Sequence, residues 1–329
     1  AVHNAYVGFS GAATGTVNVE DGGKVKVDSD AYIGYGGTGS GTVNIRRGGV
    51  MQVGHDAYVG ANGTVNGTLN IESNGTVVAA NNAYIGYGST TSGTLNLIGD
   101  AVNGRGVLET GSVVKGTGAA TLSFDGGVLR ATRDQSEFLV NFGPLAVGAG
   151  GAWLDTNSHD IGISTVFTGS SSINKLGSGT LILTGNSAAF TGNTDIYSGT
   201  LQVDGVLGGA ANVASGARLA GSGQVGGIVN SGTVAPGHGN SFGTLTVAGN
   251  YTGSNGVIEM KTESGRTDSP ADRLLVTGNI TGTTLVHITN LSDGTVTGLS
   301  NTDGISIIQV AGASSTTAFQ LPGGYVAAG

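Results

Sequence analysis

The chain has no cysteine, four prolines, one tryptophan and a charged fraction of only 10%, and each shortage removes a class of protein. Without cysteine there is no disulfide scaffold and no thiolate metal site. A chain free of crosslinks also suits passage across a membrane while unfolded. The charged fraction is less than half the usual share of about 25%. A formal net charge of −8 leaves no basic face to neutralise phosphates, so no nucleic acid is expected as a partner. No apolar run reaches the roughly 18 residues of a membrane-spanning helix. Aromatics, at 5%, are too scarce for the interfacial girdles of an outer-membrane barrel. No secretory leader is visible: the chain opens Ala1-Val2-His3-Asn4-Ala5-Tyr6-Val7-Gly8, already inside a repeat, and reads as a mature fragment of something longer.

What is abundant is glycine, with 64 residues where an average protein of this length would hold roughly 23. Such a load could signal disorder, but disorder requires low hydrophobicity and high net charge. Here 38% of residues are hydrophobic, and Val, Ile and Leu recur in order. The order is a repeat. Asn4-Ala5-Tyr6-Val7-Gly8 returns as Asp30-Ala31-Tyr32-Ile33-Gly34, Asp56-Ala57-Tyr58-Val59-Gly60 and Asn82-Ala83-Tyr84-Ile85-Gly86, at one constant 26-residue spacing. Gly15-Thr16-Val17-Asn18-Val19 returns in the same register at Gly41, Gly67 and Gly93. A third apolar pair follows at Val25 and Val27, Met51 and Val53, Val77 and Ala79.

Each repeat therefore predicts three short alternating strands divided by Gly, Asn and Asp turns. Three strands in so short a repeat leave no room for crossover helices, and one repeat cannot bury a face alone, so copies must stack. Stacking sets equivalent strands in parallel, about 4.8 Å apart. The fold class is all-β: an elongated parallel β-helix. Val17 and Val19 point inward, and Thr16 and Asn18 outward. Tyr6, Tyr32, Tyr58 and Tyr84 form one outward ladder and Asn18, Asn44, Asn70 and Asn96 another. These eight are the candidate adhesive residues.

After Leu97 the register slips, and the apolar pair expected near Asn103 arrives at Val107-Leu108, which indicates a turn insertion of four or five residues. Beyond it the rungs are predicted to be imperfect, roughly 20 to 25 residues each, with the four prolines at turns. From about Asn250 the strands lengthen and glycine thins out, as a cap over the last open edge requires. Three regions follow: 26-residue repeats over 1–117, degenerate repeats over 118–234 and a C-terminal cap over 235–329.

Catalytic chemistry finds little purchase. His3, His55, His159, His238 and His287 form no metal-binding motif. His159 and Asp160 are adjacent, so on a strand they face opposite ways. Ser241 lies in Gly239-Asn240-Ser241-Phe242-Gly243, superficially a nucleophile elbow, but that motif requires a following helix and a strand is expected here. Arg130, Arg133, Asp134 and Glu137 are the densest charges, mixed in sign, and read as a solvated loop rather than the acid cluster and base of a polysaccharide lyase. No catalytic, cofactor-binding or metal-binding residue is assigned, and no cofactor is expected.

Three further segments carry a resemblance. Lys175-Leu176-Gly177-Ser178-Gly179-Thr180-Leu181-Ile182-Leu183-Thr184-Gly185, continuing to Tyr197-Ser198-Gly199-Thr200-Leu201-Gln202-Val203-Asp204-Gly205, is similar to the passenger-associated transport repeat of classical (type V) autotransporters. Ala235-Pro236-Gly237-His238-Gly239-Asn240-Ser241-Phe242-Gly243-Thr244-Leu245-Thr246-Val247 resembles the entry to their autochaperone region. Asp272-Arg273-Leu274-Leu275-Val276-Thr277-Gly278 and Ala318-Phe319-Gln320-Leu321 resemble that region in pertactin-like and AIDA-like passengers. The resemblance implies a right-handed β-helix at the surface of a Gram-negative bacterium, anchored at the outer membrane by a C-terminal β-barrel. It also implies a non-catalytic adhesin or self-association stalk whose C-terminal region promotes folding. Its partners would be a host-cell or matrix protein or glycan, another copy of itself, and its own barrel. The alternatives are a polysaccharide-active β-helix enzyme and a passive scaffold for an N-terminal effector.

Overall fold

A computed structural model describes residues 2–263, 269–292 and 305–322, which form two compact units, Ala1–Leu181 and Ile182–Gly329. Among the described residues all regular structure is strand, and both units are stacks of parallel β-strands, the parallel β-helix that the repeat dictates.

In the first unit each 26-residue repeat supplies three strands. The first copies are Ala5–Phe9, Thr14–Val19 and Lys24–Val27. Each pairs in parallel with its own successor: Tyr6 with Tyr32, Asn18 with Asn44, Val25 with Met51. The faces fall as the alternation predicts. Ala31, Ile33, Ala57, Val59, Ala83 and Ile85 are at most 1% exposed, while the tyrosines between them are not buried. Each Val, Leu or Ile so buried contributes about 1.5–3 kcal/mol. Glycine closes the corner between the first two strands. Gly34 has φ +76°, and a Cβ on it would come within 2.7 Å of the Asn66 carbonyl oxygen. No other residue tolerates both the turn and the close approach.

The insertion after Leu97 is a small hairpin. Gly99 and Asp100 pair antiparallel with Arg105 and Gly104, and Asp100 Oδ1 accepts the backbone N–H groups of Val102 and Asn103 at 2.7 Å each. The helix resumes with Thr76 opposite Val107, five residues later than strict repetition would place it. Shorter rungs of the expected length follow, with Val107 opposite Val128, Val128 opposite Trp153 and Ala152 opposite Ile173, around a core in which Phe124 and Phe167 meet edge to face at 6.5 Å.

The second unit departs from the expected rung length. Thr200 pairs with Arg218, and Arg218 in turn with Thr233, so both rungs fall short of the predicted length and the second is the shorter. The cause is that the strand Val206–Val213 bends instead of breaking. Its register against Gln224–Asn230 shifts between Leu207 and Ala210, so a bulge at Gly208-Gly209 replaces a loop. Pro236 is also not at a turn: it ends the strand Thr233–Pro236 opposite Gly221, a position that tolerates proline. Further on the strands lengthen as expected. Tyr251–Thr262 and Ile280–Asn290 pair in parallel over eleven positions, Tyr251 opposite Ile280 through Thr262 opposite Asn290.

Candidate functional site

The two ladders exist, and their geometry decides what each can offer. Consecutive rings of Tyr6, Tyr32, Tyr58 and Tyr84 lie 5.0, 4.9 and 5.0 Å apart, within 10° of parallel. Strand spacing in a sheet matches the separation of stacked rings, so in-register tyrosines stack, each pair adding about 0.5–1.5 kcal/mol. The ring faces of the column are therefore engaged with one another. Burial, with Asp30 beside it, pushes the Tyr32 phenol up to about 12, and Tyr58, beside Asp56, is raised further. What the column shows to solvent is ring edges and hydroxyls.

A second aromatic column, not anticipated, runs beside it. Phe9, Tyr35 and Tyr87 occupy equivalent positions, with Ala61 in the third repeat. Tyr35 meets Tyr32 edge-on at 4.9 Å, and Tyr87 meets Tyr58 at 5.2 Å. The 26-residue spacing of these residues was the available signal.

The asparagine ladder is likewise self-engaged. Asn44 Nδ2 donates to Asn18 Oδ1 at 2.7 Å, Asn70 to Asn44 at 2.8 Å and Asn96 to Asn70 at 2.8 Å. It ends where Ser123 stands opposite Asn96. Two residues farther along these strands the charges form their own ladder, Arg46 bonding Glu20 at 2.7 Å and lying 3.9 Å from Glu72. At the turn before each tyrosine, Asp30 Oδ1 accepts the Asp56 N–H and Asp56 Oδ1 the Asn82 N–H. Two residues before the asparagines, on the same face, runs a column of threonines, Thr16, Thr42, Thr68 and Thr94 in register.

The residues tested for catalysis are dispersed. His159 is indeed in a turn, but its imidazole approaches Asp134, 3.2 Å away, a residue one rung earlier rather than its neighbour Asp160. Arg130 is not in a loop. It lies on the strand Val128–Ala131 and bridges Glu109 and Asp155 at 2.7 Å each. Arg133 donates to Asn82 Oδ1 and Glu137 accepts from Ser164. Ser241 closes a turn by donating its N–H to the His238 carbonyl, and the strand Thr244–Val247 follows. Among the described residues no three His, Cys, Asp or Glu side chains converge to hold a metal.

Two buried polar centres were not singled out from the sequence. Lys175 is fully buried, and its ammonium donates to Thr156 Oγ1, the Leu176 carbonyl and the Gly177 carbonyl at 3.0, 2.9 and 2.8 Å. Burial lowers its pKa to about 8, with Asp155 and Asp160 opposing the shift. Asp272, also fully buried, accepts the N–H groups of Gly243 and Lys261 and sits 3.1 Å from the Lys261 ammonium. Both act within the fold.

The outward residues of this parallel β-helix form self-complementary ladders, and the comparisons place the fold among known proteins. Residues 173–203 match the passenger-associated transport repeat, and residues 222–329 match the autochaperone domain type 1. Both matches are to parts of autotransporter passengers and support an autotransporter passenger segment, displayed at the cell surface or secreted. Its relatives include the adhesin BmaC autotransporter of Brucella suis biovar 1 (strain 1330), 36% identical over 211 residues, covering 64% of this chain and 6% of that protein. YuaQ and YdeU of Escherichia coli (strain K12), both uncharacterized, are 33% and 39% identical over 201 and 85 residues. These matches cover 57% and 26% of this chain, and 14% and 17% of those proteins. The chain thus spans less than a fifth of each curated relative that it matches. The one of the three described by a function is an adhesin, which favours a non-enzymatic role.

Proposed function

We propose that this chain is the adhesive, non-catalytic part of a surface passenger. In this reading residues 1–117 carry the contact surface, residues 118–234 form a connecting β-helix and residues 235–329 promote folding during secretion. The observation that carries it is register. The same outward residues recur along the first four repeats, from Tyr6 opposite Tyr32 to Asn70 opposite Asn96. A surface built this way meets a repeated partner at many equivalent points, and multivalent contact turns weak single contacts into strong attachment. The adhesin named among the relatives supports the same reading. Partners would be a host-cell or matrix protein or glycan, or a second copy of the chain, with a C-terminal β-barrel of its own as the anchor.

The test is adherence by cells displaying the passenger, compared with cells displaying a variant that lacks residues 1–117. Loss of attachment at equal surface display is the expected result. Unchanged attachment would favour the passive scaffold, in which the ladders only stiffen the helix.

A further inference from the structure

The contact surface can be narrowed by asking which outward groups remain unengaged. The tyrosine faces are committed to stacking and the asparagine amides to each other. The residues beside the asparagines differ. Thr16, Thr42, Thr68, Thr94 and Thr121 stand in register on five consecutive parallel strands. A second rank, Thr14, Ser40, Asn66 and Ser92, runs alongside. All are exposed or half-buried, and no side chain in either rank bonds to another described residue. The two ranks make a grid of free hydroxyl and amide groups, repeating about 4.8 Å across strands and about 6.6 Å along them.

The grid carries no charge. The charged column Glu20, Arg46 and Glu72 is four residues along the strand from the threonines, and its arginine lies between the two carboxylates. The grid also lacks what a protein partner needs. Protein interfaces concentrate their energy in Trp, Tyr and Arg, with Ser and Thr under-represented. An uncharged, hydroxyl-rich, evenly repeating face matches a partner with the same three properties. We propose that the Thr16–Thr121 grid binds a neutral, linear, β-linked glycan lying along the ladder. In such an extended polymer one sugar ring occupies about the length of one rung. The ladder of Asn amides is then the brace that keeps the sheet in register, and each threonine supplies a donor and acceptor to one sugar. Single contacts are weak, and the affinity comes from their number.

This inference rests on the adhesive reading, so both are tested on the same proteins. The full chain would be titrated with cellohexaose as the neutral β-linked probe, with dextran as an α-linked and heparin as a charged comparison. Cellohexaose should bind, dextran and heparin at least tenfold more weakly. The triple substitution Thr42→Val, Thr68→Val and Thr94→Val keeps the β-branched shape and removes three hydroxyls. It should weaken cellohexaose binding roughly tenfold or more, given the modest worth of each hydrogen bond. Thr→Ser at the same three positions retains the hydroxyls and should restore binding, which controls for damage to the fold. Equal binding by the valine and wild-type chains, or preference for heparin, would overturn the glycan assignment. Self-association abolished by the valine substitutions, with no glycan bound, would overturn it in favour of a second copy. If cells displaying the valine passenger still adhere, the grid is not the contact and the adhesive reading survives. If wild-type display confers no adherence, that reading itself falls.

Discussion

The first four repeats and the C-terminal region from residue 222 hold the same kind of sheet together by opposite means. In the repeats the principal polar and aromatic contacts recur: one tyrosine stack, one asparagine bond and one turn carboxylate per rung, each half-buried or exposed. The C-terminal region keeps one exposed turn ladder, from Asn250 to Asn279 to Ala313, but adds polar contacts that occur once and are buried. Tyr251 is fully buried, and its hydroxyl lies between Asn230 Nδ2 at 3.0 Å and Thr284 Oγ1 at 3.1 Å. The Asp272 carboxylate ties the turn at Gly243 to Lys261 on the long strand. Repetition spreads stability over many small, nearly equal terms, whereas singular buried centres concentrate it. A region that folds first and templates the rest needs the second design, because its structure must close before neighbouring rungs exist to support it.

The comparison can be broken first at Asp272. Asp272→Ala leaves Lys261 without its carboxylate partner and orphans the Gly243 N–H, and should cost about 3–5 kcal/mol. Denaturant titration measures it, and a loss below about 1 kcal/mol would show that stability is not concentrated there. The repeats should respond less per residue changed. Replacing Tyr32 and Tyr58 together by Ser removes all three stacks and should cost about 2–4 kcal/mol. Adherence per folded molecule separates a stiffening column from an adhesive one, and loss of adherence with the fold intact would assign the tyrosines to contact. Asn70→Ala breaks two amide links in a solvated row and should cost only about 1 kcal/mol. A larger loss would mean the ladder acts cooperatively.

Alkaline pH sharpens the comparison from another side, because it should affect both regions. Tyr32 and Tyr58 in the repeats and Tyr251 in the C-terminal region all have raised phenol pKa values, with burial as the main cause. A raised folded value means the unfolded chain loses its proton first. The contribution is therefore complete below pH 10 and, for Tyr32, lost as pH rises from about 10 to about 12. Tyrosinate absorbance should lag behind that of free tyrosine and then emerge together with loss of β signal. Ionisation of Tyr32, Tyr58 or Tyr251 near pH 10 with the fold unchanged would contradict the partial burial of the first two rings and the full burial of the third.

Much of this was legible in the sequence where the sequence is periodic. The 26-residue register, the inward Ala and Ile either side of each outward Tyr, and the five-residue insertion before Val107 all follow from alternation and counting. What alternation cannot show is how outward residues treat one another. That Tyr faces and Asn amides are consumed within their columns depends on strand spacing matching ring and amide contact distances. The second aromatic column at Phe9, Tyr35 and Tyr87 was visible in the same spacing but is interrupted by Ala61. The short rungs from Thr200 to Arg218 and on to Thr233 were missed because Gly208-Gly209 reads as a turn and is in fact a bulge in a continuing strand. Lys175 and Asp272 look like surface charges in a linear string. Only the folded chain gathers the carbonyls and amide N–H groups that satisfy them.

The most direct test of the division between a concentrated and a distributed design is segment-resolved hydrogen exchange on the chain lacking residues 235–329. If the C-terminal region secures the folding of the rest, amide protection in residues 118–234 should collapse, and protection in the 26-residue repeats should fall with it. Protection of residues 5–97 equal to that in the full chain would show that the repeats stand on their ladders alone, and would contradict the account.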